Sequence, residues 1–156
     1  MITIKTAIDE VRKLVNVPSV KALVTSIYAG EIAQTEYNRA GSAKEKFITI
    51  GSLPVSFEQV QQAVINVNLY APNLSSDVAD LTTLDNILLA VKPLIEDAYT
   101  LKISTTLQTA TLLNEPTIKY SFYNLRVRLS TNLFHYGSFH TQKPKRLYLF
   151  TNGYTD

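Results

Sequence analysis

The sequence predicts an α+β fold in which an antiparallel or mixed β-sheet is packed on one face by two α-helices. Alternating apolar and polar residues recur in several strand-length segments, whereas only two segments carry a long apolar stripe at helical spacing. The strands fall in groups with short, turn-prone connections, which favours hairpins over a doubly wound fold. The length of 156 residues predicts a single globular domain. We assign residues 1–133 to this domain and residues 134–156 to a C-terminal extension.

The first element is an amphipathic helix that Thr3 or Thr6 can cap and that ends near Asn16. Pro18 discourages its continuation, because the residue before a proline is pushed out of the helical region. The apolar stripe consists of Ile4, Ala7, Ile8, Val11, Leu14 and Val15. The charged residues expected on the solvent side are Asp9, Glu10, Arg12 and Lys13.

A short strand is expected around Ile27 and Tyr28, and a mobile loop over residues 38–46. The loop has a glycine, small residues and four charged side chains, but no apolar anchor. Ordering such a segment costs roughly 1–2 kcal/mol per residue in backbone entropy. The sequence leaves open whether this loop is an idle surface loop or contacts a partner through Arg39, Lys44 and Lys46.

Two central strands follow, at residues 47–53 and 60–70. In the first, Ile48 and Ile50 lie opposite Phe47, Thr49 and Gly51, and Pro54 closes the strand. In the second, one face is apolar and is expected in the core: Ala63, Ile65, Val67 and Leu69. The other face carries Gln62, Val64, Asn66, Asn68 and Tyr70, which suits either solvent or another protein.

The second helix is expected at residues 83–99, with Pro93 predicted to kink or divide it. Strands at residues 106–113 and 120–131 then form a hairpin. In the last strand, an apolar face alternates with a face that bears Phe122, Asn124, Arg126 and Arg128. Residues 147–150 could add an edge strand.

Composition limits the possible functions. The net charge of +2 implies no broad basic field, and the absence of cysteine removes disulfides and thiolate chemistry. No apolar run approaches the ~20 residues of a membrane span, so a soluble protein without a membrane partner is expected.

Motifs for catalysis, phosphate binding or metal binding are absent from the sequence. His135 and His140 are interpreted as loop residues, and the adjacent carboxylates Asp9–Glu10 and Glu96–Asp97 as solvating charges. We expect neither an enzyme nor a bound cofactor or metal.

A nucleic-acid-binding module is a less favoured alternative. Phe122 could stack on a base while Arg126 and Arg128 hold phosphates, helped by the basic cluster Lys143, Lys145 and Arg146. An ordinary exposed sheet face, on which arginine stems cover aromatic rings, explains the same residues.

The order of elements is itself informative: a helix, a variable segment after residues 27–37, strands at 47–50 and 63–72, a helix at 85–95, and strands at 106–113 and 120–129. From about Thr6 to Thr131, this order resembles that of bacteriophage tail-completion or tail-terminator proteins. The resemblance implies a structural protein that assembles as a ring, typically hexameric, on the head-proximal end of the tail tube.

The partners implied by the resemblance are further copies of the chain, the tail-tube protein and the head connector, and DNA only as it passes through the ring. The implied location is the virion tail or neck, after synthesis in the bacterial cytoplasm. Asn66, Asn68 and Tyr70 would then lie on a surface set against a neighbour, because interface cores favour aromatic over charged residues. The chain departs from the family in residues 134–156, a candidate arm, and in Pro93. A head–tail connector or stopper is the alternative within the same setting.

Overall fold

A computed structural model describes residues 3–53 and 62–131. The helices are α1 (Ile4–Val15), α2 (Pro18–Lys21), α3 (Gln34–Ser42) and α4 (Leu81–Ile95). The strands are β1 (Ser26–Ala29), β2 (Phe47–Ser52), β3 (Gln62–Pro72), β4 (Ile103–Glu115) and β5 (Tyr120–Thr131). They form one sheet in the order β1-β2-β3-β5-β4, with β1 parallel to β2 and the other pairs antiparallel. The predicted α+β class with a mixed sheet is confirmed.

The main core lies between the sheet and the helices α1 and α4, as the alternation predicted. The sheet contributes apolar side chains that are fully or almost fully buried: Ile48, Ile50, Ala63, Ile65, Val67, Leu69, Leu125, Val127 and Leu129. The helices contribute Ala7, Val11, Val15, Ile87, Val91 and Ile95. Burying one large aliphatic side chain stabilises a fold by roughly 1.5–3 kcal/mol, so this layer supplies most of the driving force.

Helix α1 begins and ends where the sequence predicts. The Thr3 hydroxyl oxygen accepts a hydrogen bond from the Thr6 amide at 3.1 Å, and Asn16 is the C-cap. The prediction that Glu10 is a solvating charge is wrong, because its side chain is only 10% exposed. Glu10 lies three residues after the buried Ala7, at the flank of the apolar stripe, where its carboxylate pairs with Lys13 at 2.7 Å and Lys102 at 3.7 Å.

The prediction of a mobile loop at residues 38–46 is also wrong. Residues up to Ser42 belong to α3, which packs on the sheet face opposite α1 and α4. Its anchors are Tyr37 and the buried Ala40, which contact an aromatic cluster built from β2, β3 and β5. These partners are distant in sequence, so the polar composition of the segment concealed the helix. Helices α2 and α3 are additions to the two that were predicted.

Helix α4 runs through Pro93 and ends two residues later, at Ile95. The predicted division is therefore wrong, and the predicted residues 96–99 lie outside the helix. The helix tolerates Pro93 because of its position in the last turn. A proline there removes only one backbone hydrogen bond, close to the end where the helical hydrogen-bond pattern stops. At the other end, the Asp80 carboxylate accepts a hydrogen bond from the Thr83 amide at 3.0 Å, so the helix starts before the predicted residue 83.

The predicted hairpin of β4 and β5 is confirmed, and β5 has the predicted bounds. Strand β4 is longer than predicted, with a register shift between Leu107 and Thr109. The turn of the hairpin reaches α3, where Ile118 packs so closely on Gly41 that a Cβ on Gly41 would lie 2.8 Å from the Ile118 Cβ.

Residues 54–61 and 132–156, which include Pro54, both histidines, the basic cluster and the proposed strand at 147–150, lie outside the described residues.

Candidate interaction surface

The sheet face opposite α1 and α4 is organised in rows that cross β2, β3 and β5. The first row is aromatic and consists of Phe47, Tyr70 and Phe122, which are register partners across the three strands. Tyr70 stacks on Phe47 with ring centroids 4.5 Å apart and on Phe122 at 4.6 Å. Helix α3 covers this end of the face, so Tyr70 is only 7% exposed and burial raises the pKa of its hydroxyl.

The second row is a chain of uncharged polar groups. The Asn68 side-chain amide donates to the Thr49 hydroxyl at 3.2 Å, and the Asn124 amide donates to the Asn68 carbonyl oxygen at 2.6 Å. These side chains are half-buried and are brought together by the strand register. The amide-bearing face predicted from the sequence is therefore a connected hydrogen-bond network across three strands.

The third row contains Gly51, Asn66 and Arg126. The side-chain oxygen of Asn66 has no solvent contact and accepts no hydrogen bond from the described residues. A buried carbonyl oxygen without a donor costs about 1–3 kcal/mol. Arg126 is the register partner of Asn66, and both it and Arg128 are exposed.

A groove of about 650 Å³ lies over this face, beside the segment that joins β1 to α3. The residues that line it include Tyr37, Glu31, Glu115, Asn66 and Asn68. Among the described residues, no lysine or arginine lines it. The groove can therefore accept hydrogen-bond donors and cationic groups.

A second surface is formed by β4, which is an edge strand of the sheet within the described residues. Residues 108–114 are exposed on both faces, and Leu112 and Leu113 keep 44% and 42% of their accessible surface. From Ile103 to Asn114 the strand has neither charge nor proline. Natural edge strands usually carry charged residues or proline, because an edge without them offers unpaired backbone groups to any other strand. Sequence reasoning missed this surface, since alternation does not reveal which strand is at an edge.

The nine candidate residues separate into two groups. Asn66, Asn68, Tyr70, Phe122, Arg126 and Arg128 share the sheet face described above. Arg39, Lys44 and Lys46 lie on α3 and on the connection to β2. Whether either group contacts a partner stays a prediction.

Arg39 forms ion pairs within its own chain, which the sequence did not predict. Its guanidinium pairs with Glu36 at 2.7 Å and Glu45 at 2.9 Å, which fastens α3 to its own C-terminal connection. The pKa of Arg39 is raised by these hydrogen bonds, the Glu36 contact first.

The structure also weakens the nucleic-acid interpretation of Phe122. Its ring is half-buried and already stacks on Tyr70, whereas a base-stacking platform needs a free ring face. Within residues 3–53 and 62–131, no group of three His, Asp or Glu side chains could hold a metal ion. None of the helices in that part of the chain is long and apolar enough to cross a membrane.

Comparison with known proteins yields similar solved structures but no family. No protein-family model matches the chain. No curated protein sequence matches it. A chain in the solved structure of the virion of a native gene transfer agent (GTA) particle is similar at 13% identity and a TM-score of 0.49, over 78% of this chain and 90% of that chain. Similarity at this level carries no conclusion about function.

Proposed function

We propose that this protein is a structural component of a bacteriophage-type virion, and that it forms a ring that completes the tail at its head-proximal end. The proposal is supported by the order of the major elements, which the structure reproduces with α2 and α3 added. It takes the tail tube, the head connector and further copies of the chain as partners. Its place would be the tail or neck of the virion.

The exposed β4 strand, an edge of the sheet that the described residues form, is the observation that carries the self-assembly in this proposal. Residues 108–114 of β4 are exposed and carry neither charge nor proline, so they invite pairing with another strand. Each backbone hydrogen bond that such pairing adds contributes about 0.5–1.5 kcal/mol, and burial of Leu112 and Leu113 adds to it. A second copy of the chain is the occupant that a ring requires.

Ring closure needs a head-to-tail contact, in which the β4 edge of one copy meets a different surface of the next copy. A contact between two identical β4 edges would instead give a dimer with twofold symmetry, which cannot grow further through the same contact. A ring of at least three copies therefore distinguishes the proposed assembly from simple edge-to-edge dimerisation.

The tail-completion role is tested by co-sedimentation of the purified chain with tail tubes and, separately, with DNA-filled heads. We expect the chain to sediment with tubes that lack their terminal ring. Binding to heads alone would favour the connector or stopper role instead. Binding to neither particle would overturn both roles, provided that the sample contains the assembled ring.

A further inference from the structure

A head-to-tail ring needs a second surface on each copy, and the other side of the sheet offers one. Within the described residues, β1 and β4 are the two outermost strands, since β1 pairs only with β2 and β4 pairs only with β5. Like the exposed part of β4, the strand β1 (Ser26–Ala29) carries neither charge nor proline. Such a strand can accept a further strand through its backbone groups.

The directions of the two strands determine how they can meet. β1 is parallel to β2, and each later neighbour in the order β2-β3-β5-β4 is antiparallel to the one before, so β1 and β4 run in opposite directions. Successive copies in a ring of three or more are related by a rotation of at most about 120°, whereas reversal of a strand needs about 180°. The β1 strand of the next copy therefore lies antiparallel to β4.

The faces of the two sheets must also match, because the same rotation keeps each face on its own side. Ile27 is the register partner of Ile48, which lies in the core under α1 and α4. Leu112 is the register partner of Tyr123, whose hydroxyl donates a hydrogen bond to Asp85 on α4. Register partners point to the same face of a sheet, so Ile27 and Leu112 share the helix-covered face.

One register satisfies the direction and the faces and keeps charge out of the contact. With Ala29 opposite Ala110, the four residues of β1 align with residues 110–113, which include both exposed leucines. A shift by two residues toward the C-terminal end of β4 would bring Glu115 into the ladder. A shift by two residues the other way would leave both leucines uncovered.

The charges at the start of β1 complement the end of β4 that arrives there. A groove of about 210 Å³ lies beside this part of the chain, and its lining includes Ser26 and the exposed side chains of Arg12 and Lys21. Glu115 follows the aligned segment of β4 by two residues, so the antiparallel arrangement brings it to this end. Opposite charges at the rim of a contact favour the correct orientation over the reverse one.

We propose that β4 of one copy pairs with β1 of the next copy, antiparallel, with Ala110 opposite Ala29 and Leu112 opposite Ile27. The sheets of successive copies then join into one continuous sheet around the ring. This contact rests on the proposed function, because it supplies the second surface that ring closure needs.

Disulfide trapping tests the pairing, because the chain has no cysteine of its own. Ala29→Cys/Ala110→Cys changes two exposed residues whose Cβ atoms would lie about 4.5–5.5 Å apart across the contact, close to the reach of a disulfide. Within one chain these positions are at opposite edges of the five-stranded sheet, roughly 19 Å apart, so they cannot bridge. With oxidised glutathione as the oxidant, we expect a ladder of covalent oligomers up to the size of the ring.

The matched control is Ala29→Cys/Thr106→Cys. Thr106 is also exposed on β4 but lies four residues before Ala110, roughly 13 Å along the strand. We expect its crosslinking to be slower by about tenfold or more, because its Cβ lies beyond the reach of a disulfide.

Three results would overturn the pairing: equal crosslinking of the two double variants, a crosslinked dimer of Ala110→Cys alone, or no crosslink in a double variant that still forms the ring. A wild type that forms no ring is a different result, because it overturns the proposed function itself. As a second measurement, Ala29→Glu/Ala110→Glu should not assemble, whereas Ala29→Glu/Ala110→Lys should. Equal assembly of these two variants would also contradict the pairing.

Discussion

The Tyr120 hydroxyl donates to the backbone carbonyl of Glu45 at 2.8 Å, across 75 residues of sequence. The same hydroxyl lies 3.1 Å from the Ala40 carbonyl, so it joins β5 to the C-terminal end of α3. The Ala40 carbonyl oxygen also accepts a hydrogen bond from the Glu45 amide at 3.0 Å, so Tyr120 adds a buried side-chain donor to a connection that the backbone already closes. Burial raises the pKa of Tyr120 to about 12, so the hydroxyl keeps its proton at neutral pH.

The first prediction concerns this contact. Tyr120→Phe removes the donor to the buried Glu45 carbonyl oxygen, whereas the Ala40 carbonyl keeps its bond from the Glu45 amide. We expect the free energy of unfolding to fall by about 1–3 kcal/mol. Urea denaturation followed by circular dichroism measures the change. Tyr99→Phe is the matched control, because Tyr99 is 71% exposed and its change should stay within about 0.5 kcal/mol. Equal effects of the two substitutions would contradict the account of α3.

The second prediction concerns Gly41 and Ile118. Glycine to alanine in a helix normally stabilises by about 1 kcal/mol, but here the added Cβ would lie 2.8 Å from the Ile118 Cβ. We therefore expect Gly41→Ala to destabilise the protein when Ile118 is present and to stabilise it when Ile118→Ala makes room. Denaturation of the two single variants and the double variant gives a coupling free energy, expected at roughly 0.5–3 kcal/mol. Additive effects would show that the two residues are not in close contact.

The third prediction is a pH dependence that arises from Glu36. Hydrogen bonds from Arg39 and, second, from the Tyr28 hydroxyl lower the pKa of Glu36 to about 2 from its ordinary value of 4.5. A carboxyl whose pKa is lower in the folded state stabilises that state above the unfolded pKa. This contribution should be lost as the pH falls from about 4.5 to about 2.

An NMR titration of the Glu36 carboxyl carbon measures its pKa directly. In Arg39→Gln, we expect this pKa to move up toward 4.5, because the larger of the two causes is removed. A wild-type midpoint near 4.5 would mean that the Arg39–Glu36 ion pair does not form in solution.

Much of the fold follows from local patterns. The alternation in β3 and β5 identified the core face correctly, and Thr3 and Asn16 mark the ends of α1 as predicted. The helix α3 could not be predicted in this way, because its stability depends on contacts with Phe47, Tyr70 and Tyr120. Local sequence there shows a polar segment with a glycine, and only tertiary packing reveals the need for that glycine.

The candidate surface was predictable only in part, because it too depends on contacts between segments that are distant in sequence. Strand periodicity placed Asn66 and Asn68 on one face, but the register with Thr49 and Asn124, which turns them into a network, depends on strand pairing. The exposure of β4 depends on the order of strands in the sheet, which residue patterns do not specify. Arg39 lies in a polar segment that the sequence suggested as a docking loop, but its guanidinium already pairs with Glu36 and Glu45.

The central claim, ring assembly through the β4 edge, is tested most directly by native mass spectrometry of the wild type and of Thr109→Glu/Thr111→Glu. Thr109 pairs with Arg126 in the hairpin, so a glutamate there is tolerated within the subunit while the edge gains charge. Thr35→Glu/Thr82→Glu makes the same change at exposed helix positions and is the control. We expect the wild type and the control to form one closed oligomer of at least three 17.4 kDa subunits, and the β4 variant to be a folded monomer. A wild type that stays monomeric at every concentration, or a β4 variant that assembles as well as the control, would contradict the claim.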